Sequence, residues 1–209
     1  MPRYRSKSWR DYRPGDPGDG PTAPAATSRP SVSTRHPVSS LRAPGPVRVL
    51  GLDPGSRRTG YGVIEVDGTA MRCLAHGRIE VESLPLAARL ARIHDELRTL
   101  IEIHRPQEVA IEKVFLARNV DSALKLGQAR GAALAAVGAD LEIAEYAPRA
   151  IKLATVGFGG ADKLQVAHMI RAMLAPEGRL TADATDALAI ALCHVHHRRL
   201  AGLLARQLG

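Results

Sequence analysis

From Val47 onward, apolar residues come first in short runs and then at helical spacing. The run Val47–Leu52 ends at Asp53-Pro54-Gly55-Ser56, a turn signal, and predicts a strand. Thr59–Val66 predicts a second strand, with Gly60 and Gly62 inside it, and Met71–Glu80 a third. Asp67-Gly68 between them is a hairpin signal, so the sheet should begin antiparallel. Leu86, Leu90, Ile93, Leu97, Leu100 and Ile101 then repeat at the spacing of one helix face, predicting a helix over Leu86–His104 that Pro106 ends. Glu108–Glu112 reads as a short buried strand, Asp121–Gly138 as an Ala/Leu helix, and Glu142–Tyr146 as the last strand. A short helix opens over Pro148–Leu153, followed by a Gly-rich loop over Val156–Ala161 and a helix over Lys163–Leu174. A loop over Pro176–Leu180 leads into a closing helix from Asp183 to about Leu204. Three strands followed by alternating helices and strands make an α/β fold, a mixed sheet flanked by helices.

Residues 1–46 break this pattern. They hold 9 of the 14 prolines, many Ser, Thr, Arg and Gly, and no apolar periodicity. Such a segment cannot bury enough apolar surface to offset its ordering entropy, and it reads as disordered. Either it is a solvated tail that adds nonspecific attraction to DNA, or translation begins near Val47. The single expected domain is residues 47–209.

Of 209 residues, 45% are hydrophobic but only 3% aromatic, so the core must rest on Ala, Leu, Val and Ile. The formal net charge is +8. Residues 1–46 carry 8 Lys and Arg against 3 Asp and Glu, a net +5, which leaves 21 against 18, a net +3, for residues 47–209. A basic chain favours an anionic partner, nucleic acid before membrane surface. Cys73 and Cys193 lie far apart with no metal-ligand spacing, so no disulfide framework is expected and the chain reads as intracellular and cytoplasmic. No apolar run approaches the roughly 20 residues of a membrane span.

Within this basic chain four acids stand out. Asp53 closes the first strand and Glu112 the fourth, while Asp183 and Asp186 are three apart at the start of the last helix and so share a face. Each has an ordinary explanation. Asp before Pro-Gly forms turns, Lys113 could neutralise Glu112, and acids suit a first helical turn. Gathered together, they suit hard divalent cations such as Mg²⁺, which bridge carboxylate and phosphate. Asp53 through Gly60 also fits a loose phosphate-binding hairpin found in kinases and ATPases, so a phosphotransferase on the same kind of sheet is a second reading.

Phe115 follows Glu112 in a loop beside Arg118; it is either core or an exposed wedge that stacks on an unpaired base. Lys152 and Lys163 bracket the loop Gly157-Phe158-Gly159-Gly160, and the helix beginning at Lys163 could present a positive N-terminus to phosphate. His194, His196 and His197 read as a basic last turn rather than a zinc site.

These residues fall in a known order. Residues 50–64, LGLDPGSRRTGYGVI, resemble the opening of the RuvC family of Holliday-junction resolvases. Residues 111–131, IEKVFLARNVDSALKLGQARG, resemble that family's most distinctive stretch, and residues 183–190, DATDALAI, its closing acid pair. The resemblance runs from about Val47 to His197 and leaves residues 1–46 outside. It implies a ribonuclease-H-like sheet, a homodimer, and paired nicks at a four-way DNA junction that leave 5′-phosphate and 3′-hydroxyl ends. It also implies two Mg²⁺ ions per site, with Mn²⁺ a possible substitute, held by Asp53, Glu112, Asp183 and Asp186. Phe115 falls on the family's junction-stacking aromatic, and Lys152 and Lys163 on basic positions near the scissile phosphate. With Arg118, Lys125 and Arg130 these lysines are expected to hold the DNA arms, and helix Asp121–Gly138 to form part of the dimer contact. The partner implied is the RuvA–RuvB branch-migration complex. A junction-binding scaffold without catalysis is a third reading, which the four acids disfavour.

Overall fold

The computed structural model describes residues 45–113 and 120–208. Five strands form one sheet in the order β3-β2-β1-β4-β5: β1 Val47–Pro54, β2 Arg58–Asp67, β3 Ala70–Glu80, β4 Glu108–Glu112 and β5 Ile143–Tyr146. β1, β2 and β3 pair antiparallel, while β4 pairs parallel with both β1 and β5. This is the mixed sheet with an antiparallel start that the hydrophobic pattern indicates. The β2–β3 turn places Gly68 at φ 56°, a left-handed conformation in which glycine carries no side-chain penalty. One irregularity interrupts the hairpin: between Val63 and Ile64 the β3 partner jumps from Ala75 to Cys73. It flips which β3 residues face each side of the sheet.

Each face of the sheet has its own core. On one side α1 (Leu86–His104) and α2 (Val120–Val137) cover Leu50, Leu52, Val63, Val109 and Ile111. α1 contributes Ile93 and Leu97, and α2 contributes Ala129, Ala133 and Ala136. On the other side α5 (Ala182–Leu208) lies on Val49, Ile64 and Ala110, flanked by α3 (Pro148–Val156) and α4 (Lys163–Leu174). α3 runs through Val156, further than its apolar pattern suggests, and α5 continues to Leu208. Among the described residues no helix is long and apolar enough to cross a membrane.

Bare backbone lets α5 settle deeply. A Cβ on Gly51 would stand 2.1 Å from the carbonyl oxygen of Ala187, one on Gly60 would stand 2.1 Å from that of Asp183, and one on Gly62 would meet Leu188 at 2.6 Å. These glycines lie in the two central antiparallel strands, and the helix opposes them with Ala184, Ala187 and Ala191, all fully buried. A side chain at any of these strand positions would lift the helix off the sheet.

Candidate active site

The close approach of α5 gathers the four acids. In β1 and β4 alternate residues face opposite layers. Val49, Gly51 and Asp53 face α5, as do Ala110 and Glu112. Asp53 and Glu112 therefore leave the C-terminal ends of neighbouring parallel strands on the helix side. α5 begins over the same edge, with the Asp183 carbonyl against Gly60, the β2 partner of Asp53. Asp183 and Asp186 thereby join the two strand acids, and all four side chains are partly buried.

Their charges act on one another. Burial, followed by Asp186, Glu112 and Asp183, pushes the Asp53 carboxyl from 3.8 up to about 7, with Lys163 pulling the other way. Glu112 is also raised, by burial first and then by Asp186, against Lys163 and Lys152. Lys163 Nζ donates to Asp186 Oδ2 at 3.3 Å, and the charge of Asp186 raises the lysine in turn. Arg78, which sequence reasoning missed, places Nη1 3.8 Å from Asp183 Oδ2. Among the described residues no three His, Cys, Asp or Glu side chains are drawn together tightly enough to grip one ion as they stand. The donor chemistry nevertheless suits a hard cation: four carboxylates act on one another, and burial, followed by the other three acids, pushes one of them up to about 7.

Several expectations change in detail. Lys113 does not neutralise Glu112; the cations that act on that acid are Lys163 and Lys152. Lys113 continues the extended chain, its N–H donating to the Tyr146 carbonyl at 2.8 Å, and successive side chains of such a chain diverge. The N-terminus of α4 is partly capped by the chain itself. Asp162 accepts from the Gln165 N–H at 2.8 Å and Gln165 returns a bond to the Asp162 N–H at 2.9 Å, a complete capping box. What α4 offers the site is the Lys163 side chain. Within the Asp53–Gly60 hairpin, Gly60 gives its side-chain space to α5.

The histidines sit within α5 rather than in its last turn. His194 bonds Tyr146 Oη at 2.8 Å through Nδ1 and Glu108 at 2.8 Å through Nε2, and His196 Nδ1 meets the Ala154 carbonyl at 2.9 Å. They tie α5 to β4, β5 and α3. Phe115 and Arg118 lie outside the described residues. Lys125 pairs with Asp121 one helical turn away at 2.7 Å. Arg130 reaches the Glu112 carbonyl oxygen at 2.6 Å and Glu145 at 2.7 Å, which ties α2 to the ends of β4 and β5.

Known proteins resemble this chain. The family model for crossover junction endodeoxyribonuclease RuvC matches residues 49–194. Curated relatives of that name include one from Halorhodospira halophila, 56% identical over 153 residues that make up 72% of this chain and 91% of the relative. Another, from Marinobacter nauticus, is 53% identical over 159 residues, 76% of this chain and 91% of the relative. Among solved structures, T. thermophilus RuvC in complex with a Holliday junction substrate matches with a TM-score of 0.69 at 34% identity, covering 74% of this chain and 96% of that one. The yeast mitochondrial Holliday junction resolvase, at 14% identity and a TM-score of 0.56, shares the fold. The matched region contains all four acids, and this chain belongs to the RuvC family of crossover junction endodeoxyribonucleases, built on a ribonuclease-H-like sheet.

Proposed function

We propose that this protein resolves four-way DNA junctions by paired, Mg²⁺-dependent nicks, with Asp53, Glu112, Asp183 and Asp186 as its metal-holding catalytic residues. The observation that carries the reading is the convergence of four carboxylates from β1, β4 and α5 at one sheet edge, with Asp53 pushed up to about 7. A scissile phosphate cannot approach such a cluster without counter-charge. The chemistry that a pair of divalent ions supplies there is activation of water and stabilisation of the leaving 3′ oxygen. The chain's own residues do the rest. The rigid ends of β1 and β4 fix two acids, α5 fixes the other two, and Lys163 and Lys152 supply positive charge beside them.

Two copies related by a twofold axis would place two such sites across one symmetric junction. The outer face of α2 supports a homodimer: Val120 and Leu124 are exposed one turn apart, and a Cβ on Gly127 or Gly131 would meet nothing within 4 Å. Phe115 and Arg118 are proposed to meet unpaired bases at the junction centre, and the RuvA–RuvB complex is the proposed partner that delivers it.

The direct test compares a labelled mobile four-way junction with a linear duplex of matching sequence, in Mg²⁺ or in EDTA. Paired nicks that a ligase seals, on the junction only and with metal only, are expected. Junction binding without cuts across several junction sequences, with Mn²⁺ also tried, would establish the scaffold instead.

A further inference from the structure

The β2–β3 hairpin delivers an arginine to the acid cluster by way of its register shift. Beyond the turn the pairs run Asp67 with Ala70 and Ile64 with Cys73; carried on without interruption, that register would set Gly77 opposite Gly60. The irregularity at Val63 and Ile64 sets Arg78 there instead. Cross-strand partners share a face. Gly60 faces α5 and the Asp183 carbonyl, so Arg78 faces them too, while Gly77 turns to Tyr61 on the opposite layer. Arg78 Nη2 pairs with Glu80 on its own strand, and Nη1 is aimed at Asp183 Oδ2 from 3.8 Å, beyond hydrogen-bond length. The side chain is 35% exposed at an edge strand. A guanidinium carries five donors in a planar fork that matches phosphate oxygens, and its loose approach to Asp183 holds it in place weakly.

We propose that Arg78 is a substrate-contacting residue of the cutting site, which turns one edge of its fork from Asp183 to a phosphate of the bound strand. The inference rests on the junction-cutting reading above. Lys163 makes the corresponding approach to Asp186 from α4, so each α5 acid keeps a cation from a different element beside it until DNA and divalent ions arrive.

Two measurements test it. The first is the salt dependence of junction binding, in Mg²⁺, by the Asp53→Asn protein with and without Arg78→Ala. The slope of log affinity against log salt should fall by about 0.7–0.9 for one lost phosphate contact. The second is single-turnover nicking on the wild-type background. Arg78→Ala should slow it about ten- to a hundredfold, and Arg78→Lys should recover part of the rate. An unchanged slope with slower nicking would overturn the proposal and leave Arg78 a positioning residue for Asp183. An unchanged slope and rate, with at most a lower melting temperature, would overturn it in favour of a strand-edge ion pair. If wild-type protein neither binds nor nicks junctions, the function itself is wrong and the proposal falls with it.

Discussion

At the N-terminal ends of β1 and β4, acids are matched by cations. Glu65 accepts from Arg48 Nε at 3.0 Å and from Arg72 Nε at 2.9 Å, and Glu108 meets His194 and Arg198 at 2.8 Å each. The hydrogen bonds from Arg72 and then Arg48 hold Glu65 below the usual carboxylate range. Burial would raise Glu108, but His194 and Arg198 outweigh it and hold that acid low as well. At the C-terminal ends of the same strands the balance reverses, and Asp53 and Glu112 are pushed up among two further acids. One sheet thus carries carboxylates in two electrostatic settings. The first is closed within the protein and stabilises it. In the second, burial and then neighbouring acids hold Asp53 and Glu112 above the usual carboxylate range, and on the proposed reading divalent cations complete it.

Breaking the acidic end should cost the most activity. Asp186→Asn or Asp53→Asn is expected to reduce junction nicking by about a thousandfold or more, since on the proposed reading several kcal/mol of transition-state stabilisation depend on divalent cations held by these acids. Junction binding, measured in parallel by gel shift, should survive. Equal loss of both would count against a metal-holding role.

Gly60→Ala tests whether the close approach of α5 is what assembles the site. Its Cβ would be driven to 2.1 Å from the Asp183 carbonyl, so helix or strand must shift. Overpacking of this kind costs about 1–3 kcal/mol. Denaturant unfolding should show that loss together with slower nicking. Unchanged nicking would show that the acids do not depend on this packing.

Glu65→Gln addresses the other end and should leave nicking intact. It removes a charge shared by two arginines that are themselves partly exposed, worth about 1 kcal/mol. Because Glu65 is lowered from its ordinary 4.5, its stabilisation is full above that value and is lost as pH falls through the lowered one. Urea midpoints of wild type and Glu65→Gln should therefore differ at neutral pH and converge in acid.

Much of this was readable from sequence because it depends on local pattern. The strands, the α1 face and the turn at Asp67-Gly68 follow from spacing, and the four acids stand at element ends. What could not be read depends on distant backbone. Gly60 looks like part of a phosphate loop until α5 is seen to occupy its missing side chain. Arg78 looks like an ordinary strand residue, since nothing local marks the one-residue shift that turns it toward Asp183. The roles of His194 and His196 could not be read either, since their partners Tyr146, Glu108 and the Ala154 carbonyl lie on β5, β4 and α3, far away in sequence.

The reading of Asp53 as part of a cation site is tested most directly by melting temperature against pH, with Mg²⁺ and with EDTA, for wild type and Asp53→Asn. With Asp53 raised from 3.8 to about 7, the folded metal-free protein keeps a proton that the unfolded chain releases, so its stability should fall as pH rises across that window. Mg²⁺ competes with the proton, so it should raise the wild-type melting temperature at about pH 8 and barely at about pH 4, with a much smaller rise in Asp53→Asn. A wild-type melting temperature that Mg²⁺ leaves unmoved at about pH 8, or moves equally in Asp53→Asn, would contradict the reading of this sheet edge as a cation site.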